Sequence, residues 1–122
     1  MNSGHEPSQR QLRVGEQVRH VIAETLQRGT FHNMVLFEQA HNVTVSEVRV
    51  SPDLKHAVAF VTTLGGQNMG TVLPALNEAA PYFQKEVARN MKTRFTPRLR
   101  FEADNSFAEA DKIERLLNSL KK

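Results

Sequence analysis

The stretch that decides the fold of this chain is VTVSEVRVSPDLKHAVAFVTT, residues 43–63. Its first eight residues are rich in β-branched side chains and therefore predict a strand. The tetrapeptide Ser51-Pro52-Asp53-Leu54 follows. Its proline in second position suits a type I turn, because the ring fixes φ near the value that this turn needs. Residues 55–63 then return to an apolar pattern, so the stretch is predicted to form a β-hairpin.

The first strand of this hairpin does not alternate in a single phase. Val43 and Val45 would face one side of the sheet, whereas Val48 and Val50 would face the other. One extra residue near Ser46-Glu47 would bring all four valines to the same face. We therefore expect a β-bulge at this point.

A helix is predicted before the hairpin, from Ser8 to Arg28. Ser8 can cap its first turn, and Gly29 can end it. The segment between Thr30 and Asn42 carries no firm assignment. The apolar stripe that predicts the helix consists of six residues at helical spacing, namely Val14, Val18, Val21, Ile22, Thr25 and Leu26.

Two helices that meet at a bend are predicted after the hairpin, beginning with Thr71 as a cap and ending near Arg94. Pro81 interrupts their shared apolar stripe. A proline inside a straight helix costs about 3 kcal/mol, because it lacks an N–H and clashes with the preceding turn. It also disfavours helical angles at Ala80. The simplest solution is a bend at Ala80-Pro81, with Pro81 in the first turn of the second helix.

The last part of the chain predicts a strand and a final helix. Leu99, Phe101 and Ala103 alternate with charged residues, which is typical of a half-buried strand. Ser106 and Glu109 form a capping-box pattern. The order α-β-β-α-(kink)-α-β-α predicts an α+β domain, a three-stranded sheet with helices packed on one face. The stripe of the final helix consists of Ile113, Leu116, Leu117 and Leu120.

Length and composition limit the class of protein. A chain of 122 residues suits a single domain, which we place at residues 8–120, after a disordered lead at residues 1–7. There is no cysteine, so disulfides and thiolate metal sites are excluded. No run of about 18 apolar residues occurs, and no membrane-spanning helix is predicted. The lack of cysteine fits a reducing cytoplasm.

The positive charge of the chain is concentrated in one short stretch. The net charge is only +3, yet residues 82–100 carry six basic side chains and one acidic side chain. A concentrated basic patch is expected of a surface that binds nucleic acid. A solvated helix face would have the same composition. Charge alone leaves both interpretations open.

Four pieces of the sequence, in the right order and spacing, resemble the ribosome-binding factor A family. They are VTVSEVRVSPDLKHA at 43–57, LNEAAPYF at 76–83, RFTPRLRF at 94–101 followed by DNS at 104–106, and QLRV at 11–14. The resemblance runs from about residue 8 to residue 120. It implies a KH-like domain of the second type, in which a kink usually written Ala-x-Gly replaces the Gly-x-x-Gly loop. Here Ala79-Ala80-Pro81 occupies the kink, so a proline stands where the family has its last glycine.

The resemblance also implies a function. The family consists of cytoplasmic bacterial proteins that bind the immature small ribosomal subunit. They assist maturation of the 5′ end of 16S rRNA and are needed for growth in the cold. The implied partners are 16S rRNA and the precursor small subunit, bound by a monomer. No cofactor, metal, membrane or small-molecule substrate is expected, and the protein is expected not to be an enzyme.

Ten side chains are candidates for contact with RNA. Lys85, Arg89 and Lys92 share one helix face, because they recur at spacings of four and three, and Arg94 extends that patch. Two more share the side of the last strand opposite Leu99 and Phe101. The remainder lie on the first helix and at the hairpin tip. The candidate RNA-binding residues are Lys85, Arg89, Lys92, Arg94, Arg98, Arg100, Arg10, Arg13, Lys55 and His56.

Several of these residues have a simpler explanation. The two strand arginines could only shield an exposed sheet, and the pair at the hairpin tip could simply belong to a polar turn. Tyr82 could stack on a base, although packing is the plainer role after a proline at a helix start. Three phenylalanines are predicted to be core residues, namely Phe60, Phe83 and Phe101.

Two other classes of function stay open at this point. A protein-interaction module would use the open sheet face or an edge strand. A hydrolase is poorly supported, because the five histidines are scattered and none belongs to a His-Glu-x-x-His motif. No nucleophile stands beside a base.

Overall fold

The structure, a computed structural model, describes residues 6–91, 96–105 and 116–117. Within these residues it contains three strands, four longer helices and two 3-10 turns. The strands are β1 (Val43–Val50), β2 (His56–Thr63) and β3 (Arg98–Ala103). The helices are α1 (Gln9–Arg28), α2 (Met34–Gln39), α3 (Met69–Glu78) and α4 (Ala80–Asn90), with 3-10 turns at Ala40–Asn42 and Leu64–Gly66.

The three strands form one mixed sheet in the order β1-β2-β3. β1 and β2 are antiparallel, whereas β2 and β3 are parallel. The parallel pair needs a crossover, which α3 and α4 provide. Helix α1 packs on β1, and α3 and α4 pack on β3. The predicted α+β, KH-like class is confirmed.

The hairpin contains the expected bulge. Val45 pairs with Val61 and Glu47 with Phe60, so Ser46 is the extra residue of β1. The Ser46 hydroxyl donates to the Phe60 carbonyl at 3.2 Å, and it is also hydrogen-bonded to the Asp104 carboxylate. The bulge brings Val50 to the buried face, and one unbroken core therefore extends under the sheet.

Helix α1 has the predicted ends. The Gln11 N–H donates to the Ser8 hydroxyl at 3.1 Å, and the Ser8 N–H donates to the Gln11 side chain at 2.8 Å. Gly29 ends the helix with a φ of 64°, in the left-handed region that favours glycine. Gly15 has a further role, because a Cβ there would lie 2.7 Å from the Val48 carbonyl oxygen. Only glycine allows α1 to approach β1 this closely.

Three details of the helix pair were predicted wrongly. α3 begins at Met69 and not at Thr71, because the Asn68 carbonyl already accepts from two N–H groups of the first turn. The joint is Ala79 (φ −88°, ψ 4°), one residue before the expected bend. α4 ends at Asn90, since Met91 is extended. Pro81 does lie in the first turn of α4, as predicted.

The segment left unassigned contains the short helix α2. The Asn33 side chain accepts from the Leu36 N–H at 3.2 Å and caps the helix. Leu36 and Ala40 are both completely buried against the core. Six residues are too few to show a helical period in the sequence, which explains the missing assignment.

The predicted final helix lies almost entirely outside the described residues. Leu116 and Leu117 are helical and exposed. The capping box at Ser106 and the first residues of the chain are likewise not described, so the domain limits of 8 and 120 stay a prediction.

Two of the three phenylalanines are core residues, as predicted. Phe83 and Phe101 are buried, with ring centroids 5.0 Å apart. Phe60 was wrongly predicted to belong to the core. It alternates with the buried Ala59 and Val61, and therefore lies half-buried on the outer face of the sheet.

The outer edge of β3 is covered by side-chain amides of the helix pair. Asn77 donates to the Phe101 carbonyl at 3.0 Å and accepts from the Phe101 N–H at 2.9 Å. Gln84 accepts from the Leu99 N–H at 3.0 Å. These amides take the place of a fourth strand, so the β3 edge is not free to pair with another chain.

We predict that Asn77→Ala lowers the free energy of unfolding by about 1–3 kcal/mol, because both polar groups of Phe101 lose their partner beside a buried ring. Urea unfolding of the two proteins measures the difference. Asn90→Ala is the matched control, since among the described residues its amide makes a single bond, to the Glu86 carbonyl of the same helix. Equal losses for the two variants would contradict this role of Asn77.

Candidate RNA-binding surface

Packing of α4 determines which of its side chains reach solvent. Phe83 and Val87 are buried in the core, which turns Lys85 and Arg89 outward, where both are exposed. They are four residues apart and share one face of the helix. Two further candidates of this stretch, Lys92 and Arg94, lie outside the described residues.

A buried carboxylate lies beside these cations. The Glu86 side chain is only 8% exposed, and its two oxygens form ion pairs with two different arginines, of which Arg28 also donates a hydrogen bond. Arg28 Nη2 lies 2.8 Å from Oε1, and Arg89 Nη1 lies 3.6 Å from Oε2. Arg28 also donates to the Thr25 hydroxyl at 3.2 Å. Glu86 therefore orients two guanidinium groups that are themselves more than half exposed.

Arg28 was missing from the sequence-based candidates. It lies 58 positions from Glu86 and joins α4 only because α1 packs against that helix. We call Arg28, Lys85, Glu86 and Arg89 the basic α4 surface. Three cations and one carboxylate leave it with a net charge of +2. This surface is the part of the predicted site that the structure brings together.

The two strand arginines lie elsewhere. Arg98 and Arg100 are exposed, and the residues between and after them, Leu99 and Phe101, are buried. The predicted alternation is thus confirmed. Because α4 packs on the buried face of the sheet, the side chains of these arginines project from the opposite face. They and the basic α4 surface do not form one continuous patch.

The outer face of the sheet is nearly balanced in charge. Arg49 forms an ion pair with Glu47 at 3.0 Å and lies over the Phe60 ring, 5.2 Å from its centroid. The Glu47 carboxylate raises the pKa of Arg49. Arg100 forms an ion pair with Glu102. The simpler explanation, that these arginines shield an exposed sheet, therefore fits Arg100.

The remaining candidates are exposed but stand apart. Arg10 and Arg13 lie in the first turns of α1, and 15 residues of helix correspond to roughly 23 Å between Arg13 and Arg28. Lys55 and His56 lie at the hairpin tip, which is a tightly bonded polar turn.

The Asp53 carboxylate at that tip accepts from the Ser51 hydroxyl at 2.6 Å and from the Lys55 N–H at 3.0 Å. The Ser51 hydroxyl and this N–H hold the pKa of Asp53 below its usual range. The tip therefore carries a negative charge beside its two candidates.

The described part of the chain offers neither a metal cluster nor a membrane-spanning helix. Among residues 6–91, 96–105 and 116–117, no group of three histidines or carboxylates could hold a metal ion. Over the same ranges, no helix has both the length and the apolar character that crossing a membrane requires.

Comparison with known proteins gives a consistent result. The family model described as ribosome-binding factor A matches residues 10–117. Ribosome-binding factor A from Methylobacterium sp. (strain 4-46) is 52% identical over 115 residues, which cover 94% of this chain and 81% of that protein.

A crystal structure and a model fitted into a cryo-EM map share the fold. The crystal structure of ribosome-binding factor A from Thermus thermophilus matches with a TM-score of 0.61 and 25% identity, covering 76% of this chain and 94% of that one. A homology model of the Thermus thermophilus protein, fitted into a cryo-EM map of a 30S–RbfA complex, matches with a TM-score of 0.57 and 23% identity. It covers 75% of this chain and 91% of the other. With a match over nearly the whole chain and half of its residues identical to a curated relative, this chain belongs to the ribosome-binding factor A family.

Proposed function

We propose that this protein is an assembly factor that binds the immature small ribosomal subunit, and that it does so through 16S rRNA. The observation that carries the proposal is the basic α4 surface, where exposed Arg28, Lys85 and Arg89 are held on two packed helices. The family name supports a ribosomal partner. The fold relative placed in a 30S complex supports the small subunit.

The mechanism that suits these residues is binding alone: the protein acts by occupying a site on the RNA and catalyses no reaction. Guanidinium groups can bind two phosphate oxygens at once, and the Lys85 ammonium adds a point charge. Contacts of this kind position the protein on the RNA backbone and do not read its sequence. A monomer bound in this way would hold one RNA arrangement and leave when the subunit matures.

The finer role follows from the family resemblance. We propose that the protein acts in the cytoplasm, assists maturation of the 5′ end of 16S rRNA, and matters most in the cold. Incorrect RNA duplexes separate more slowly at low temperature, so a factor that stabilises one arrangement has its largest effect there.

A second candidate function is docking of a protein on the outer face of the sheet. Val58 and Phe60 are half-buried there, between the Glu47–Arg49 and Arg100–Glu102 ion pairs. An apolar centre with balanced charges suits a protein partner better than a phosphate backbone. Because the β3 edge is covered, such a partner would have to use the face and not that edge.

Sedimentation of the full chain with precursor small subunits over a range of salt concentrations tests the proposal. Each phosphate contact contributes about 0.7–0.9 to the slope of log affinity against log salt, so three cations predict a slope of roughly −2 to −3. A protein contact through the sheet face would depend only weakly on salt. Binding that does not change with salt would favour the second candidate and contradict the first.

A further inference from the structure

A cleft beside the helix joint has no part in the mechanism described so far. Its volume is about 440 Å³, and its walls come from the α1–α2 connection on one side and the α3–α4 joint on the other. The cleft is mainly apolar inside and polar at its rim. Its lining consists of Thr30, Phe31, His32, Asn33, Glu78, Ala79 and Tyr82.

Tyr82 supplies an aromatic ring to this cleft in a fixed position. Its ring meets that of Phe31 edge to face, with centroids 5.5 Å apart, and that of Phe83 at 6.0 Å. Its hydroxyl lies 3.3 Å from the Thr30 hydroxyl. Tyr82 is nevertheless only half-buried, so a fixed aromatic wall is available to a planar group.

The rim of the cleft carries a carboxylate that is available as an acceptor. Glu78 is exposed, and among the described residues its carboxylate makes no hydrogen bond or ion pair. Asn33 uses its side-chain oxygen to cap α2, which leaves its NH₂ group as a donor. The negative charge of Glu78 disfavours a phosphate inside the cleft. Its carboxylate oxygens can instead accept a hydrogen bond from the amino group of a base.

The cations of the basic α4 surface continue from this cleft along the same helix. Tyr82, Lys85 and Arg89 follow one another at spacings of three and four residues and share one face of α4. Their axial separations from Tyr82 are about 5 and 10 Å. A single strand with one base in the cleft would therefore place its phosphates over Lys85 and Arg89.

We propose that this cleft binds one unstacked RNA base, with its ring against Tyr82 and its amino group facing Glu78. The inference rests on the proposed RNA-binding function. Cytosine, adenine and guanine carry an amino donor at the edge that meets the carboxylate. Uracil presents an oxygen acceptor in its place and is bound more weakly.

Tyrosine fluorescence tests the position of the base directly. The chain contains one tyrosine and no tryptophan, so the emission of the full protein reports Tyr82 alone. Titration with a cytidine hexamer is expected to quench this emission, because a stacked base lies on the ring. A uridine hexamer of the same length and charge is expected to bind about fivefold more weakly.

Three variants distinguish the contribution of the base to affinity from that of the phosphates. The affinities are measured by fluorescence anisotropy of labelled hexamers. Glu78→Gln should bring the two affinities to within about twofold, since an amide can accept and donate. Tyr82→Leu should lower the affinity for cytidine about tenfold and leave its salt slope unchanged. Tyr82→Phe keeps the ring, loses the Thr30 contact, and should bind as the parent protein does. Thermal melts show that each variant is folded.

The outcomes distinguish this inference from the function on which it rests. Binding of the hexamers without quenching, or equal affinity for both in the parent protein, would show that no base enters the cleft. Failure of both hexamers to bind would also overturn the inference. In each case, salt-dependent sedimentation with small subunits decides the proposed function independently.

Discussion

Replacing Lys85 and Arg89 together with alanine is expected to weaken binding to precursor small subunits by roughly 30-fold to 140-fold at low salt. Each residue is exposed on α4, and a charge-assisted contact with a phosphate contributes about 1–1.5 kcal/mol after solvent competition. The slope of log affinity against log salt should become less steep by roughly 1.4–1.8. Sedimentation of both proteins at several salt concentrations measures the two effects together.

The matched control is a double variant that lowers the net charge by the same amount at positions outside the basic α4 surface. The double variant Arg19→Ala with Arg49→Ala also lowers the net charge by two, but these arginines form exposed ion pairs with Glu16 and Glu47. Surface pairs of this kind contribute little to stability. If the control weakened binding as much as Lys85→Ala with Arg89→Ala, net charge and not the basic α4 surface would explain the affinity.

Replacing Gly15 with alanine is expected to lower the free energy of unfolding by roughly 1–2 kcal/mol. A Cβ at this position would lie 2.7 Å from the Val48 carbonyl oxygen, and backbone atoms cannot yield as a flexible side chain can. Overpacking costs about 1–3 kcal/mol, and the better helix propensity of alanine returns up to about 1 kcal/mol. The melting temperature should fall by roughly 3–12 °C for a domain of this size.

Gly70→Ala is the control for this prediction. Gly70 also lies in a helix, and a Cβ there would meet nothing within 4 Å. Alanine should therefore be neutral or stabilise the protein by up to about 1 kcal/mol. If Gly15→Ala were as stable as Gly70→Ala in thermal melts, the close approach of α1 to β1 would not be a constraint on the fold.

Much of the fold could be predicted because its signals are local. The Ser8 cap, the Gly29 stop and the bulge at Ser46 each depend on residues within a few positions of one another. Errors occurred where local signals competed. Thr71 suits a cap as well as Asn68 does, and only the hydrogen bonds of the first turn select Asn68. Phe60 looks like a core residue in an apolar strand, but the phase of β2 places it on the outer face.

The candidate site was predicted less completely. The helix face with Lys85 and Arg89 follows from spacing alone. Arg28 could not be found, because the Glu86 contact that orients it spans 58 positions. The sequence also groups Arg98 and Arg100 with α4, since they are close along the chain. In the structure the sheet lies between these arginines and α4, because α4 covers one face and the arginine side chains project from the other.

The order of helices and strands, the hairpin with its bulge, the proline joint and the family can all be read from the chain alone, because periodicity, caps and turns act over short separations. Tertiary packing was needed to establish which cations share a surface, how the amides cover β3, and where the joint meets the α1–α2 connection to form a cleft. These features depend on contacts between residues far apart in the chain, and such contacts exist only once helices and sheet have packed.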